Sequence, residues 1–227
     1  MKKLVVLTGA GISAESGIKT FRDHNGLWEN YDVMDVASIE GWRKNRELVL
    51  DFYNQRRRQL QEVQSNEAHQ ILQKLEQHFE VHIVTQNVDD LHERAGSSNI
   101  LHLHGELLKS CASQNKNLVY NQLNDIQLGD KAEDGSQLRP FIVWFGEEVP
   151  LMEKAQKLVQ QADIVIVIGT SLQVYPAAGL LYDVKADVPL FVINPDENIQ
   201  YNNRVEVIKE SATQGMKMLW NRLVEMK

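Results

Sequence analysis

With 227 residues the chain is long enough to bury a full α/β core carrying a smaller inserted lobe, and 24 Lys plus Arg against 31 Asp plus Glu leave a formal net charge of -7. That balance carries no basic stripe for nucleic acid, since the densest basic run is Arg56-Arg57-Arg58. One cysteine, Cys111, excludes an internal disulfide and a cysteine-only metal site within one chain. With no charged leader, cleavable apolar segment or membrane-length apolar span, the expectation is a cytoplasmic, membrane-free protein.

The first structured stretch, Leu4 to Leu7, is an apolar run that meets Thr8-Gly9-Ala10-Gly11-Ile12-Ser13 and resumes with helical spacing. It reads as a buried strand, a tight turn and a helix. Glycines at 9 and 11 remove Cβ atoms from the turn, so its backbone N–H groups are expected to approach a pyrophosphate, which makes this a candidate dinucleotide site. The usual third glycine two residues on is missing; the next is Gly17. Thr20-Phe21-Arg22-Asp23 adds a cationic loop placed to reach a phosphate or a ribose.

After Asn25-Gly26-Leu27-Trp28 comes a polar stretch that includes Tyr31 to Val36, then two helical patterns, Asn45 to Glu62 and Glu67 to His78. No strand separates them, so residues 31–66 read as a helical insertion that leaves the sheet and 67–78 as the helix that returns. Val81 to Thr85 is the next strand and runs into Gln86-Asn87-Val88-Asp89-Asp90. Polar groups at the carboxyl end of a parallel strand are where α/β sheets place chemistry. A short helix over Leu91 to Ala95 is expected to stop at Gly96, and Ile100 to Glu106 reads as a third strand with His102 and His104 on one face. Residues 107–150 turn polar around the apolar island Ile142 to Gly146 and read as a second small lobe.

The doubly wound pattern then returns with a helix over 151–161 and the aliphatic strand Ile164 to Ile168, closed by Gly169-Thr170-Ser171. A helix at Ala177 to Tyr182, a strand Leu190 to Ile193 ending in Asn194-Pro195, a short strand at Val205 to Ile208 and a closing helix Thr213 to Met226 complete it. The fold class is therefore α/β, a doubly wound Rossmann-like parallel sheet. One domain over 1–227 is expected, with its core from 1–30, 67–106 and 151–227. Four strand ends carry small or polar groups, at Gly9, Gln86-Asn87, Gly169-Thr170-Ser171 and Asn194, and together they define a cleft for a nucleotide.

Two chemistries suit that cleft. Hydride transfer needs only the cofactor and an acid or base such as His104, but Glu29, twenty residues beyond Gly9, is poorly placed as a ribose-binding carboxylate. Cleavage at a ribose carbon needs groups to hold a leaving amide, a carboxylate near the developing positive charge and a base, and Asn87, Asp89 and His104 supply those types. A neutral imidazole makes His104 the expected base.

At these residues the chain resembles the sirtuin family of NAD-dependent protein deacylases over nearly its whole length. Gly9-Ala10-Gly11-Ile12-Ser13 with Gly17-Ile18 and Phe21-Arg22, then Thr85-Gln86-Asn87-Val88-Asp89, His104-Gly105, Gly169-Thr170-Ser171 and Asn194 match the family motifs in family order. The resemblance implies NAD across the carboxyl edge, held by Gly9, Ala10, Gly11, Ser13, Phe21, Arg22, Gly169, Thr170, Ser171 and Asn194, with Gln86, Asn87 and Asp89 around the nicotinamide ribose. It implies attack of an acyl-lysine oxygen on C1' as nicotinamide leaves, with His104 as base and O-acyl-ADP-ribose as product; ADP-ribosyl transfer is the alternative. Val143, Phe145 and Gly146 resemble the family strand that pairs with an extended peptide. Phe52-Tyr53-Asn54-Gln55-Arg56 resembles the Tyr-x-x-Arg motif of the class III members, with Ala37 as the small residue that opens the acyl pocket. Tyr53 and Arg56 are then expected to hold the carboxylate of succinyl-lysine or malonyl-lysine, with acetyl-lysine also accepted. Most members hold zinc through two Cys-x-x-Cys pairs; here Gln114 follows Cys111 three positions on and no second pair exists, so a zinc-free lobe is expected. A monomer acting on acylated lysines of proteins completes the expectation.

Overall fold

The computed structural model describes residues 1–19, 31–170, 175–196 and 205–227, and the backbone of 27–28. Thr20 to Asp23 and Ser171, singled out above, lie outside them. In chain order the elements are β1 (Lys3–Thr8), a 3₁₀ segment Ala10–Ser16, β2 (Leu27–Trp28), β3 (Tyr31–Asp32), α1 (Val33–Val36), α2 (Ile39–Lys44), α3 (Arg46–Glu62), α4 (Glu67–Leu75), β4 (Glu80–Thr85), α5 (Leu91–Arg94) and β5 (Ile100–His102). There follow β6 (Gly105–Ala112), β7 (Val119–Asn121), β8 (Leu138–Ile142), α6 (Met152–Gln160), β9 (Ile164–Ile168), a second 3₁₀ segment Ala177–Asp183, β10 (Leu190–Ile193), β11 (Glu206–Ile208) and α7 (Ala212–Glu225).

Alternation along β1 explains the layers. Leu4 and Val6 face a core shared with Leu72 of α4 and Met216 and Leu219 of α7, whereas Val5 and Leu7 face Ala155 and Val159 of α6 and Leu180. A strand buried on both faces needs apolar residues throughout, which is what the five aliphatic residues of β9 supply. All six main strands are parallel, in the order β11-β10-β9-β1-β4-β5. The winding reverses between β1 and β9. Ligands bind α/β sheets outside the carboxyl ends of the strands at such a reversal, so the fold points to Gly9 and Gly169.

The inserted elements form a third core. α3 begins at Asn45, whose side-chain oxygen accepts from Leu48 N–H at 3.0 Å, and buries Phe52, Tyr53 and Leu60 against Leu107, Ile126, Ile142 and Trp144. Asn54 locks the two parts together by donating to Ile126 O and accepting from Ile126 N, each at 2.9 Å, and buried Arg57 donates to Leu107 O at 3.1 Å. Residues 105–142 carry the antiparallel sheet β7-β6-β8.

The helical insertion read over 31–66 begins with α1 and α2, capped by Asp32 and Ser38 side chains. Three expectations change. The helix expected after β1 is one 3₁₀ segment, ended at Gly17 (φ 95), whose N–H bonds to Ala14 O and Ser13 O. The strand expected over Ile100 to Glu106 is broken: β5 ends at His102 and the chain turns into β6 of the other sheet. Gly105 permits the turn, with φ 86 and a backbone so close that a Cβ would lie 2.0 Å from Phe141 O. Finally, β8 stops at Ile142, and the next three N–H groups are all taken, Val143 by His104 O, Trp144 by the Glu147 carboxylate and Phe145 by Ala37 O.

Candidate active site

A cavity of about 470 Å³ opens at the carboxyl ends of β1, β4, β9 and β10 and extends to the inserted lobes. Gly9, Ala10, Gly11, Gln86, Asn87, Asp89, His104, Gly169, Thr170 and Asn194 line it, as do Ala37, Tyr53, Val143, Phe145 and Gly146. Ser13 lies behind that lining, fully buried, and Arg56 does not border the cavity. The Arg56 guanidinium sits 3.6 Å over the Phe52 ring and donates to Phe52 O at 3.0 Å.

The glycines act differently from the sequence reading. Gly9 N–H donates to Ile168 O at 3.0 Å and Gly11 N–H to Gly169 O at 2.8 Å, so neither aims at a ligand. Their missing side chains instead let two turns touch: a Cβ on Gly11 would lie 2.6 Å from Gly169 Cα, and one on Gly9 2.7 Å from Thr170 Cβ. Neighbouring β1 and β9 impose this contact, and strand order is invisible in a local motif.

Two hydrogen-bonded sets carry the polar groups. In the first, Asn87 Nδ2 donates to Ser13 Oγ at 3.2 Å and Ser13 Oγ donates to Asp89 Oδ2 at 3.0 Å, while Leu91 N–H donates to Asp89 Oδ1 at 3.2 Å. Burial pushes the Asp89 carboxyl above its ordinary value, and the bonds from Leu91 and Ser13 offset part of that. In the second, Gln86 Nε2 donates to Thr170 Oγ1 at 3.2 Å and Asn194 Nδ2 donates to Thr170 O at 2.9 Å, fixing the turn after β9 from both sides.

His104 is oriented by the same segment. Its Nδ1 lies 3.1 Å from Gln86 O. A carbonyl only accepts, so the proton sits on Nδ1 and Nε2 keeps its lone pair. Burial lowers the ring's pKa below 6.5 and the Gln86 bond opposes that in part, so the ring is neutral at pH 7. His102, expected on the same face, borders a separate cavity of about 330 Å³ with Glu93, Glu106 and Lys109. There it bonds to Asn87 O at 3.1 Å and Glu93 Oε1 at 2.7 Å; burial disfavours its charge, but Glu93 outweighs burial and the pKa is raised. Burial thus holds His104 toward its neutral form, while Glu93 holds His102 toward its charged one.

Sequence reasoning missed Trp144, Glu147 and Arg139. Trp144 lines the cavity, and its Nε1 donates to Tyr53 Oη at 3.0 Å. Arg139 stacks 3.5 Å over the Trp144 ring and pairs with Glu147 at 2.9 and 3.2 Å. The available signal was an arginine inside the apolar run Leu138 to Ile142, answered by an acid right after Gly146. No group of three or more His, Cys, Asp or Glu side chains placed to hold a metal exists among the described residues, and no helix among them is long and apolar enough to cross a membrane.

The family model described as Sir2 family matches residues 9–176. A protein of Helicobacter pylori named NAD-dependent protein deacylase is 60% identical over 227 residues, covering 100% of this chain and 99% of that one. One of the same name from Bacteroides thetaiotaomicron is 51% identical, covering 99% of each. Among solved structures, a Sir2 homolog–NAD complex superposes with TM-score 0.87 at 38% identity over 99% of this chain and 90% of that one. A Sir2–p53 peptide–NAD+ complex gives 0.80 at 28% identity over 96% and 92%.

Proposed function

The chain belongs to the Sir2 family, and from that premise we propose that it is an NAD-dependent protein-lysine deacylase releasing nicotinamide and O-acyl-ADP-ribose. The observation that carries the reading is His104, a neutral imidazole with its Nδ1 proton tied to Gln86 O, bordering one cavity with Asn87, Asp89 and an apolar wall. The cavity suits NAD: two glycine turns meet at the winding reversal, and amide and carboxylate groups of Gln86, Asn87, Asp89 and Asn194 stand around it. When bound, NAD supplies a ribose carbon that becomes electrophilic as nicotinamide leaves and that the acyl oxygen of a modified lysine attacks.

The protein's part is positioning and proton transfer. Asn87 and the Ser13–Asp89 pair form a preorganised polar surface that needs no rearrangement during reaction. His104 Nε2 takes a proton from a ribose hydroxyl. Ala10, Gly11, Gly169 and Thr170 hold the phosphate side, and Ala37, Val143, Phe145 and Gly146 exclude water from the acyl chain. Replacing His104 with Ala is expected to leave NAD affinity within about twofold while abolishing release of nicotinamide from NAD and acyl-peptide; full turnover would remove His104 from the role of base.

We propose further that succinyl-lysine and malonyl-lysine are substrates beside acetyl-lysine. In support, Tyr53 and Ala37 border the cavity; Arg56 lies one helical turn from Tyr53 and would reach an acyl carboxylate only by leaving the Phe52 ring. The comparison is kcat/KM for acetyl and succinyl forms of one peptide on the parent and on Arg56→Met: selective loss of succinyl turnover supports the assignment, and equal effects on both defeat it. The reading includes a monomeric cytoplasmic catalytic unit over 1–227 whose inserted lobe folds without zinc.

A further inference from the structure

The end of the cavity that holds Tyr53 contains a hydrogen bond with a directional consequence. Tyr53 is 1% exposed and Trp144 2%, and the indole N–H donates to the phenol oxygen at 3.0 Å. An indole nitrogen only donates, so it occupies a lone pair on Tyr53 Oη and the phenol's own hydrogen must point elsewhere. Among the described residues nothing accepts that hydrogen. Tyr53 is among the residues that border the cavity, so a ligand there is the group that can bring an acceptor to the phenol. A buried donor without a partner is costly, and a ligand oxygen would remove the cost.

The indole is held in this pose from several sides. The Arg139 guanidinium lies 3.5 Å over its ring, the Trp42 ring stands 5.4 Å away, and Glu147 accepts the backbone N–H of Trp144 at 2.9 Å while pairing with Arg139. Arg139 also donates to Ile142 O at 2.8 Å, which ties the guanidinium to the end of β8. The indole N–H therefore faces the phenol as a fixed element of the fold. The aromatic contact alone, at 6.2 Å between centroids, would not set the direction of the hydroxyl.

We propose that Trp144 is a specificity-determining residue acting through Tyr53: its indole N–H turns the phenol into a fixed donor toward the cavity and so favours acyl groups that end in acceptor oxygens, carboxylates above all, over apolar acyl groups of equal length. This rests on the deacylase reading of the cavity and adds a second residue to its selectivity. Trp144 makes no bond to the acyl group in this scheme. It is a positioning residue, and its effect disappears when the hydroxyl is absent.

The test is a double-mutant cycle on the full-length protein at saturating NAD, read as the ratio of kcat/KM for a succinyl-lysine peptide to that for its pentanoyl-lysine counterpart. Trp144→Phe is expected to lower the ratio about tenfold, chiefly through the succinyl KM, and Tyr53→Phe to lower it by a similar factor. The double variant should fall no further than Tyr53→Phe alone. Should Trp144→Phe fail to fold by thermal unfolding, 3-benzothienylalanine at position 144 keeps the ring shape and deletes only the N–H. An unchanged ratio on loss of the N–H, or multiplied effects in the double variant, overturns the proposal. A parent that removes pentanoyl or acetyl but not succinyl also overturns it while leaving the deacylase reading intact; a parent that removes none of the three overturns both.

Discussion

Gly169→Ala tests whether the meeting of two glycine turns, rather than N–H donation by the glycines, shapes the nucleotide side of the cavity. Gly169 has φ 62, and a Cβ on it would lie 2.4 Å from Ile12 N and 2.5 Å from the Gly11 carbonyl carbon. Both are backbone atoms, so no rotamer relieves the overlap. The left-handed conformation costs alanine about 1 kcal/mol, and forcing a packed contact apart adds about 1–3 kcal/mol. A total of about 2–4 kcal/mol in a domain of this size lowers Tm by about 4–16 °C. Gly11 N–H bonds to Gly169 O at 2.8 Å, so separating the turns moves the 3₁₀ segment and is expected to weaken ADP-ribose binding as well. Gly129→Ala is the control: its φ is 102, but nothing lies within 4 Å of the added Cβ, so strain acts alone and binding is untouched. Circular dichroism melts and isothermal titration with ADP-ribose read both quantities. If Gly169→Ala keeps the parent Tm and affinity, or loses no more than Gly129→Ala, the close-contact argument is refuted.

Because burial holds the His104 pKa below 6.5 and the base must be neutral, the acid limb of kcat/KM should fall at a pH below 6.5; a limb at or above 6.5 contradicts the assigned environment. Burial raises the Glu147 carboxyl, but Arg139 outweighs it and holds the pKa below 4.5. A depressed carboxylate contributes stability that is present above its unfolded pKa and lost as pH falls through the folded one, so Glu147→Gln should flatten the acid side of the Tm profile; an unaltered acid side would dismiss the pair as a stabilising element. Dialysis against EDTA is expected to leave Tm and elemental zinc, near zero, unchanged, and stoichiometric zinc in the untagged protein would sink the zinc-free lobe.

The doubly wound sheet was legible because its signals are local: β9 is aliphatic at every position, and β1 is apolar on both faces before a glycine turn. The cleft followed from the polar strand ends, which the parallel sheet gathers on one edge. What stayed hidden depends on neighbours distant in sequence. The work of Gly9 and Gly11 requires knowing that β1 lies beside β9, and the break between β5 and β6 falls inside an unbroken apolar alternation whose only mark is Gly105. Likewise Tyr53 and Trp144 stand 91 positions apart. A residue skipped by strand alternation gave no sign of facing the cavity, because residues 143–145 leave the strand and bond back to His104, Glu147 and Ala37.

The central claim is deacylation at His104 in an NAD-requiring reaction, and mass spectrometry of products tests it most directly. The purified protein is incubated with an acetyl-lysine peptide, and in parallel a succinyl-lysine peptide, with and without NAD. The expected result is deacylated peptide, nicotinamide and O-acyl-ADP-ribose in equal amounts, none without NAD and none from the His104→Ala variant. Peptide that gains ADP-ribose while keeping its acyl group, or that loses its acyl group without NAD, would contradict the account.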